Sequence, residues 1–338
     1  MKEPDIKSPQ GPLTVLISSI GRRTQLVRCF QQAFEQLGIK GRVIGVDSNP
    51  DYAPAAHLVE ECRNVPPCTD PAYAECVLSI CQERDVCLVV PTIDPELPVY
   101  AAARDRFRLS GIQVAISGPR TVHIAGDKAE TNTWLRSKSI PTLRQTDSTE
   151  ASKIAGQWPL PLMVKPRRGS ASVGVRKITS YEMLHAMLAD NSDLLIEEFA
   201  QGEEYTINVF VDSQGRCVCA VPHRRIEVRG GEVSKGITVK NPLLIQLAKQ
   251  IVESLPDAFG PLNIQCFLSD SGAVRVTEIN ARFGGGFPLA NEAGAAFPVW
   301  LLEGVLGLPS TAKFDGWTDK LIMLRYDSAV YFKSSQPW

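Results

Sequence analysis

The chain contains 338 residues, of which 44% are hydrophobic and 22% charged, with a formal net charge of −1. This length and composition predict a globular protein of two or three lobes and exclude a disordered or fibrous chain. The charge balance lacks the positive excess that nucleic acids and anionic membranes attract, so we expect neither as a partner.

In the first third of the chain, short apolar runs alternate with segments of helical spacing. The apolar runs are residues 14–18, 42–47, 86–91 and 113–117, and the helical segments are residues 25–37, 73–84 and 96–107. Such alternation predicts parallel strands joined by crossover helices, an α/β lobe of Rossmann-like topology. Ligands of such lobes bind at the carboxyl ends of the strands.

Two features of this lobe have competing interpretations. Residues 18–23 after the first strand, and Asp47 at the end of the second, are similar to a dinucleotide-binding unit. The G-x-G-x-x-G motif is missing, however, and Arg22 and Arg23 occupy the tight turn, which disfavours NAD binding. Further along, Asp94 either contacts a substrate or caps a helix that has Pro95 at its first position.

From Asp127 onward the pattern becomes α+β, with strands separated by glycine-containing turns. The sequence predicts an amphipathic helix over residues 243–255, and two hairpins that pair residues 204–212 with 216–222 and 263–268 with 273–279. We find no internal repeat and no low-complexity tract.

A predicted strand that ends at Lys165 is followed by a loop of small residues, among them Gly169, Ser170, Ser172 and Gly174. Glycine and serine allow backbone N–H groups to converge on phosphate oxygens, and a lysine at the strand end adds a positive charge. Taken alone, this segment also has the alternative interpretation of a flexible hairpin turn beside a surface lysine.

A second strand ends at Glu197, Glu198 and Phe199, with Glu204 shortly after it. Carboxylates at a strand end can accept hydrogen bonds from a nucleotide's amino group or ribose hydroxyls. As isolated residues, these glutamates are more often solvated surface charges.

The strongest signal is the second predicted hairpin. Alternation along its second strand places Glu278, Asn280 and Arg282 on one face, with Gln265 on the neighbouring strand and a glycine triplet after Arg282. Carboxylate and amide oxygens suit Mg²⁺ or Mn²⁺, and an arginine beside them can stabilise phosphoryl oxygens. The alternative, a polar outer face of an edge strand, predicts neither the glycine triplet nor Gln265.

The remaining composition argues against zinc and secretion. The nine cysteines include no C-x-x-C pair, and the four histidines are far apart in sequence. Residues 1–12 lack the apolar core of a signal peptide, and no apolar run approaches the roughly 20 residues that span a bilayer. We therefore expect reduced thiols and a cytoplasmic protein.

These motifs, in this order, give the chain its resemblance to the ATP-grasp superfamily, specifically to its carbamoyl-phosphate-synthase-like and carboxylate–amine ligase branch. The resemblance extends from the strand at Thr14 to about Val330. It implies a Rossmann-like pre-ATP-grasp domain at residues 1–118, a small ATP-grasp lobe with the glycine loop at 119–197, and a large lobe with the metal site at 198–338.

The resemblance also implies a role for each matching residue. Lys128 and Lys165 would hold ATP phosphates under the loop that contains Gly169, Ser170, Ser172 and Gly174. Glu197, Glu198 and Phe199 would lie at the adenine and Glu204 at the ribose. Glu278 and Asn280 would bind Mg²⁺ with help from Gln265, and Arg282 would stabilise an acyl phosphate. In the same way, Arg224, Arg225 or Lys235 would hold the substrate carboxylate, although a solvated hairpin also explains that basic stretch.

One residue departs from the family's pattern, because Ala281 stands where many relatives have proline. Its side chain is predicted to point away from the metals, so function should survive. The implied reaction is ATP-dependent coupling of a small-molecule carboxylate to an amine, with amino acids among the candidates and a homodimer compatible with the sequence. Two alternatives stay open: phosphorylation of bicarbonate or carbamate, and a non-catalytic ATP-binding regulatory protein.

Overall fold

The computed structural model describes residues 11–150, 157–169, 173–188 and 193–333. The strands are β1 (Leu13–Ser18), β2 (Gly41–Asp47), β3 (Cys62–Asn64), β4 (Val86–Val90), β5 (Gln113–Val114), β6 (Gln145–Asp147), β7 (Leu162–Pro166), β8 (Arg176–Ile178), β9 (Leu194–Glu198), β10 (Glu203–Val211), β11 (Cys217–Arg229), β12 (Glu232–Thr238), β13 (Gly260–Leu268), β14 (Val274–Asn280) and β15 (Ile322–Leu324). The helices are α1 (Thr24–Leu37), α2 (Tyr73–Glu83), α3 (Leu97–Leu109), α4 (Pro119–Gly126), α5 (Lys128–Ser137), α6 (Tyr181–Leu188), α7 (Pro242–Ser254), α8 (Phe287–Glu292) and α9 (Phe297–Leu306).

The chain divides into two compact units. The first consists of Met1–Ala115, Ala296–Thr311 and Leu324–Trp338, and the second of Ile116–Ala295 and Ala312–Met323. The described helices include none that is both long and apolar enough to cross a membrane.

The first unit contains a parallel sheet with the strand order β3-β2-β1-β4-β5. Every residue of β1 is buried, as expected of a parallel strand that is covered on both faces. Helix α1 buries one apolar face and ends at Gly38, whose φ of 63° is left-handed and favours glycine. The predicted α/β topology of the first third is confirmed.

Two turns of this unit contain Asp47 and Asp94, whose roles the sequence left open. The carboxylate of Asp47 accepts hydrogen bonds from the backbone N–H groups of Gly21 (2.9 Å) and Asn49 (2.9 Å), so it stabilises two loops. Asp94 begins a short 3₁₀ helix, Asp94–Glu96, whose N-cap residue is Ile93. The predicted cap at Asp94 is therefore wrong by one position, because the Glu96 carboxylate accepts the Ile93 N–H instead.

The second unit contains two antiparallel arrangements. The smaller sheet has the order β6-β9-β7-β8 and a core that consists of Leu162, Val164, Ile178, Leu184, Leu194 and Ile196. The larger sheet has the order β14-β13-β10-β11-β12-β15, and α7 packs on β10 and β11. The predicted α+β character and both predicted hairpins are confirmed.

Strand β11 is longer than the sequence suggested. It continues through Arg229 because the residues beyond Pro222 pair with β12. This places the basic stretch from His223 to Lys235 in a regular hairpin of the larger sheet, with its turn at Gly230 and Gly231.

Candidate active site

Residues of both sheets of the second unit line a cleft of about 300 Å³. Its lining includes eight residues that the sequence singled out: Lys128, Lys165, Gly169, Glu197, Phe199, Glu204, Gln265 and Glu278. Its apolar lining includes Leu143, Met163, Val173, Val175 and Phe267. A mostly apolar cleft with a few convergent polar groups is typical of a small-molecule site.

The small sheet contributes a buried ion pair to this cleft. The Nζ of Lys165, at the end of β7, lies 2.7 Å from Oε2 of Glu197 on β9, and both residues are less than a tenth exposed. Oε1 of the same carboxylate accepts a 2.6 Å hydrogen bond from the side-chain amide of Gln145 on β6. Glu197 therefore holds the lysine, and Gln145 in turn holds Glu197.

A second lysine lies at the start of α5. Asp127 caps this helix, because its carboxylate accepts the N–H groups of Ala129 and Glu130. Burial alone would raise the pKa of Asp127, but hydrogen bonds from Arg167 and from these two N–H groups lower it. Lys128 follows the cap and donates a 2.7 Å hydrogen bond from Nζ to the carbonyl oxygen of Gly169.

The glycine loop begins and ends at residues with left-handed backbone. Gly169 has a φ of 114° and Gly174 a φ of 75°, and a Cβ at Gly174 would lie 2.8 Å from Pro166. Both positions therefore require glycine. The predicted phosphate contacts of Ser170 and Ser172 lie outside the described residues.

The residues at the end of β9 that were predicted to lie at the adenine have different surroundings. Phe199 lines the cleft, and the ammonium of Lys177 lies 4.6 Å from the centre of its ring. The Glu198 carboxylate instead accepts hydrogen bonds from the backbone and side chain of Arg144 (3.0 and 2.9 Å) and is not among the lining residues.

On the large sheet, two neighbouring cross-strand pairs contain the predicted metal ligands. Gln265 of β13 lies opposite Glu278 of β14, and Asn263 lies opposite Asn280. Arg282 follows β14 and donates to Oδ1 of Asn280 (3.3 Å). A carboxylate and two amide oxygens on one face fit the oxygen preference of Mg²⁺ or Mn²⁺. Among the described residues, no group of three His, Cys, Asp or Glu side chains could hold a metal ion.

Of the predicted trio Arg224, Arg225 and Lys235 on the β11–β12 hairpin, Arg225 is the residue that joins this face. Its guanidinium lies 3.1 Å from the Glu204 carboxylate and donates to Oε1 of Gln265 (3.1 Å) and to the carbonyl oxygen of Gly231 (2.9 Å). Burial raises the pKa of Glu204, Arg225 opposes that rise, and the nearby Glu278 adds to it.

The other two basic residues make ion pairs elsewhere. Arg224 pairs with Glu203, which is next to Glu204 on β10 but on the opposite face of the strand. Lys235 pairs with Glu227 at 2.7 Å, and neither residue lines the cleft. Arg225 is therefore the member of this predicted trio that the fold brings to Glu204 and Gln265.

Sequence reasoning missed a row of buried polar residues beside the predicted metal ligands. Asn208 of β10 and Asn263 of β13 lie opposite each other, and the Asn208 amide contacts Nδ1 of His223 at 3.2 Å. The glycine triplet lies against this row: a Cβ at Gly284 would lie 3.2 Å from Nδ2 of Asn263, and one at Gly286 would lie 2.7 Å from Nε2 of His223. The period of two that links Asn263 to Gln265 was the available signal.

All nine cysteines are free. Burial raises the pKa of Cys62, Cys81, Cys87, Cys217 and Cys266 to about 12, which disfavours the reactive thiolate form. None of the described residues that line the cleft is a cysteine.

Comparison with family models matches two separate segments of the chain. Residues 15–115 match the family described as PylC-like, N-terminal domain, and residues 125–286 match the ATP-grasp domain. Together with the fold, these matches show a PylC-like N-terminal domain followed by an ATP-grasp domain, and the residues that line the cleft fall within the ATP-grasp match.

Individual relatives are more distant. The trifunctional purine biosynthetic protein adenosine-3 of Drosophila melanogaster is 27% identical over 68% of this chain and 20% of its own length. Phosphoribosylamine–glycine ligase of Pseudomonas aeruginosa is 26% identical over 57% of this chain and 52% of its own. The chain thus matches about half or less of these relatives' lengths.

The structural comparison supports the fold alone. The biotin carboxylase domain of Hydrogenobacter thermophilus 2-oxoglutarate carboxylase, solved with MgADP, ADP and bicarbonate, superposes with a TM-score of 0.72. The alignment covers 91% of this chain and 73% of that one at 15% identity.

Proposed function

We propose that the protein is an ADP-forming ligase that uses ATP to activate a carboxylate as an acyl phosphate and couples it to an amine. One observation carries this proposal: two lysines from the small-sheet side and the oxygen donors Gln265 and Glu278 from the large sheet line the same cleft. Positive charge for phosphate and hard oxygen ligands for Mg²⁺ are the two requirements of phosphoryl transfer from ATP.

In this mechanism, each side chain of the site has a separate role. Lys128 and Lys165 bind phosphate oxygens, while Phe199 and the apolar lining accommodate the base and Glu204 accepts hydrogen bonds from the ribose. Glu278, Asn280 and Gln265 would hold Mg²⁺, which neutralises phosphate charge when bound. Arg282 lies beside Asn280 and stabilises the transferred phosphoryl group. Exclusion of water then protects the acyl phosphate from hydrolysis until the amine attacks the acyl carbon, loses a proton and displaces phosphate.

Amino acids are the substrate class that we favour for the carboxylate. The support comes from the relative whose name joins glycine to phosphoribosylamine, a carboxylate to an amine. Arg225 contacts the cleft residues Glu204 and Gln265, so it would supply positive charge beside the proposed metal ligands.

The test is ADP release from ATP, measured with pairs from an amino-acid library and with bicarbonate alone as a control. We expect release that depends on one carboxylate and one amine, disappears in excess EDTA, and returns with Mg²⁺ or Mn²⁺. Release with bicarbonate alone would favour carbamoyl-phosphate-type chemistry. Binding of ATP with only background hydrolysis for every substrate would favour a regulatory protein.

A further inference from the structure

Asn263 lies between the proposed metal ligand Asn280 and the backbone of Arg282. Its side chain is 2% exposed, its Nδ2 donates to the carbonyl oxygen of Arg282 (3.1 Å), and its Oδ1 accepts from Nδ2 of Asn280 (3.2 Å). Neither family resemblance nor strand alternation had assigned a role to this residue.

These bonds fix the orientation of both amides. A backbone carbonyl can only accept a hydrogen bond, so the Asn263 side chain must turn its NH₂ group toward Arg282 and its oxygen toward Asn280. That oxygen can in turn only accept, so Asn280 must present its NH₂ group to Asn263 and its Oδ1 to the other side. The guanidinium of Arg282 donates to this Oδ1, which is consistent with the same orientation.

Asn263 is also closely surrounded. Its amide lies against Gly284, where a Cβ would lie 3.2 Å from Nδ2, and Asn208 lies opposite it on β10. Asn208 is 1% exposed and is itself bonded to His223. Glycine at position 284 therefore leaves room for the amide in the orientation that its two hydrogen bonds hold.

We propose that Asn263 is a positioning residue that keeps the single amide oxygen of Asn280 turned toward the divalent cation. This inference rests on the proposed function, since it assumes that Asn280 is a metal ligand. An amide presents one oxygen and one nitrogen at nearly the same positions, and only the oxygen can bind Mg²⁺. Without Asn263, both rotamers of the Asn280 amide become accessible and the ligand is lost part of the time.

The experiment measures Mn²⁺ binding in the presence of ADP by electron paramagnetic resonance, with no turnover involved. Asn263→Leu preserves the size of the side chain and removes both hydrogen bonds. Loss of a residue that orients a metal ligand typically costs 10- to 100-fold in metal affinity, so we expect at least about a tenfold weaker Mn²⁺ affinity. The matched control is Asn132→Leu, another buried asparagine, which bonds to Thr142 and Leu143 and should leave Mn²⁺ affinity unchanged.

The Asn280→Asp background separates orientation from general disruption. A carboxylate offers an oxygen at either position, so Asn263→Leu should weaken Mn²⁺ affinity by less than about twofold there. An equal loss in both backgrounds, or no loss in the wild-type background, overturns the inference.

Two further results complete the test. If Asn263→Leu fails to fold, the variants Asn263→Thr and Asn263→Val replace it, because their side chains have the same shape. Threonine retains a hydrogen-bond acceptor and valine does not. We therefore expect only the threonine variant to bind Mn²⁺ within threefold of wild type. Equal weakening by both overturns the inference. If the wild-type protein does not bind Mn²⁺ with ADP, both the proposed metal site and the positioning role of Asn263 are overturned. If the wild type binds Mn²⁺ normally and Asn263→Leu leaves that affinity unchanged, only the positioning role is refuted.

Discussion

The buried ammonium group of Lys165 is held in place by a matching negative charge. A buried lysine is costly unless its charge is matched, and here Glu197 supplies the match at 2.7 Å while Gln145 supplies a further hydrogen bond to the carboxylate. The lysine is thereby held at the end of β7, facing the cleft. In the proposed function, the Glu197 side chain positions Lys165, and the cleft wall beside Phe199 remains for the base.

Glu278 and Lys165 should differ in how they affect catalysis. Glu278→Gln keeps the size of the side chain but removes a charge from the proposed metal site, so nucleotide still binds while phosphoryl transfer slows. We expect a loss of at least 100-fold in kcat, or roughly 2.7 kcal/mol. Lys165→Ala should weaken nucleotide affinity together with kcat, because its charge acts in both ground and transition states.

Steady-state kinetics at saturating Mg²⁺, together with direct titration of ADP binding, separates these two patterns. Thermal unfolding of both variants checks that the fold is intact. Near-normal kcat for Glu278→Gln would refute the assignment of β14 as the metal strand.

Arg225 and Arg224 provide a matched pair on one strand. Arg225→Met removes the donor that holds both Glu204 and Gln265, so we expect nucleotide affinity to fall about tenfold, or roughly 1.4 kcal/mol. Arg224→Met removes only a half-exposed ion pair to Glu203, and such pairs contribute about 0–1 kcal/mol to stability. Titration of each variant with ADP makes the comparison, and equal affinities would argue against a role for Arg225.

Which of two adjacent residues faces the site was beyond the reach of the sequence. Alternation predicted that Glu278, Asn280 and Arg282 share a face, but it could not choose between Arg224 and Arg225 or between Glu197 and Glu198. That choice depends on which face of each strand meets the cleft, and so on the register with β6, β10 and β13, which are distant in sequence.

At the scale of elements, Glu96 joins two strand ends of the first unit. Its fully buried carboxylate accepts hydrogen bonds from the N–H groups of Thr92 and Ile93, from Oγ of Ser19 and from the hydroxyl of Tyr73. Ser19 has a left-handed φ of 45°, so the bond from its side chain helps to hold the loop after β1 in an uncommon conformation.

Glu96→Gln should destabilise the first unit in a pH-dependent way. The amide places an NH₂ group against donors, which costs about 1–3 kcal/mol. Burial raises the pKa of Glu96 against the opposition of its four donors. The folded state therefore holds the proton more tightly than the unfolded chain, so the stabilisation by Glu96 is complete below about pH 4.3 and decreases as pH rises through the folded-state pKa.

Urea unfolding of wild type and Glu96→Gln between pH 4 and pH 8 measures this effect. The difference in unfolding free energy should be largest at low pH and shrink toward neutrality. The exposed Glu60→Gln substitution controls for the loss of one carboxylate, and surface changes of this kind stay within about 0.5 kcal/mol. A difference that grows with pH would mean that the four hydrogen bonds outweigh burial.

The elements themselves were largely predictable because their signals are local. Helix α7 and the β13–β14 hairpin matched the predicted segments to within a few residues, since hydrophobic period and turn residues define both. The extension of β11 through Arg229 was not predictable, because its polar residues form a strand only by pairing with β12.

At the scale of the whole molecule, chain order and compact units differ. Helix α9 belongs to the first unit although it follows β14 in sequence, and the last residues of the second unit follow it in turn. No local pattern encodes such a return, because it depends on contacts between residues more than 200 positions apart, such as those of α9 with α1 and β4. The cleft, in contrast, is lined by residues of the second unit.

This division predicts where nucleotide binding slows hydrogen exchange. Ligand at 100 times its Kd stabilises the form that binds it by about 2.7 kcal/mol. Addition of MgADP should therefore slow exchange in peptides that cover residues 163–169, 197–204 and 265–278, by up to about 100-fold. The amides of β1 and β4, in the first unit, should change far less, because none of their residues lines the cleft.

Lys165→Ala at the same ADP concentration should lose most of the protection in the second unit, which ties the effect to the cleft and not to ADP in solution. Equal slowing in β1 and β4 would show that the nucleotide acts on both units, and the assignment of the site to the second unit alone would be wrong.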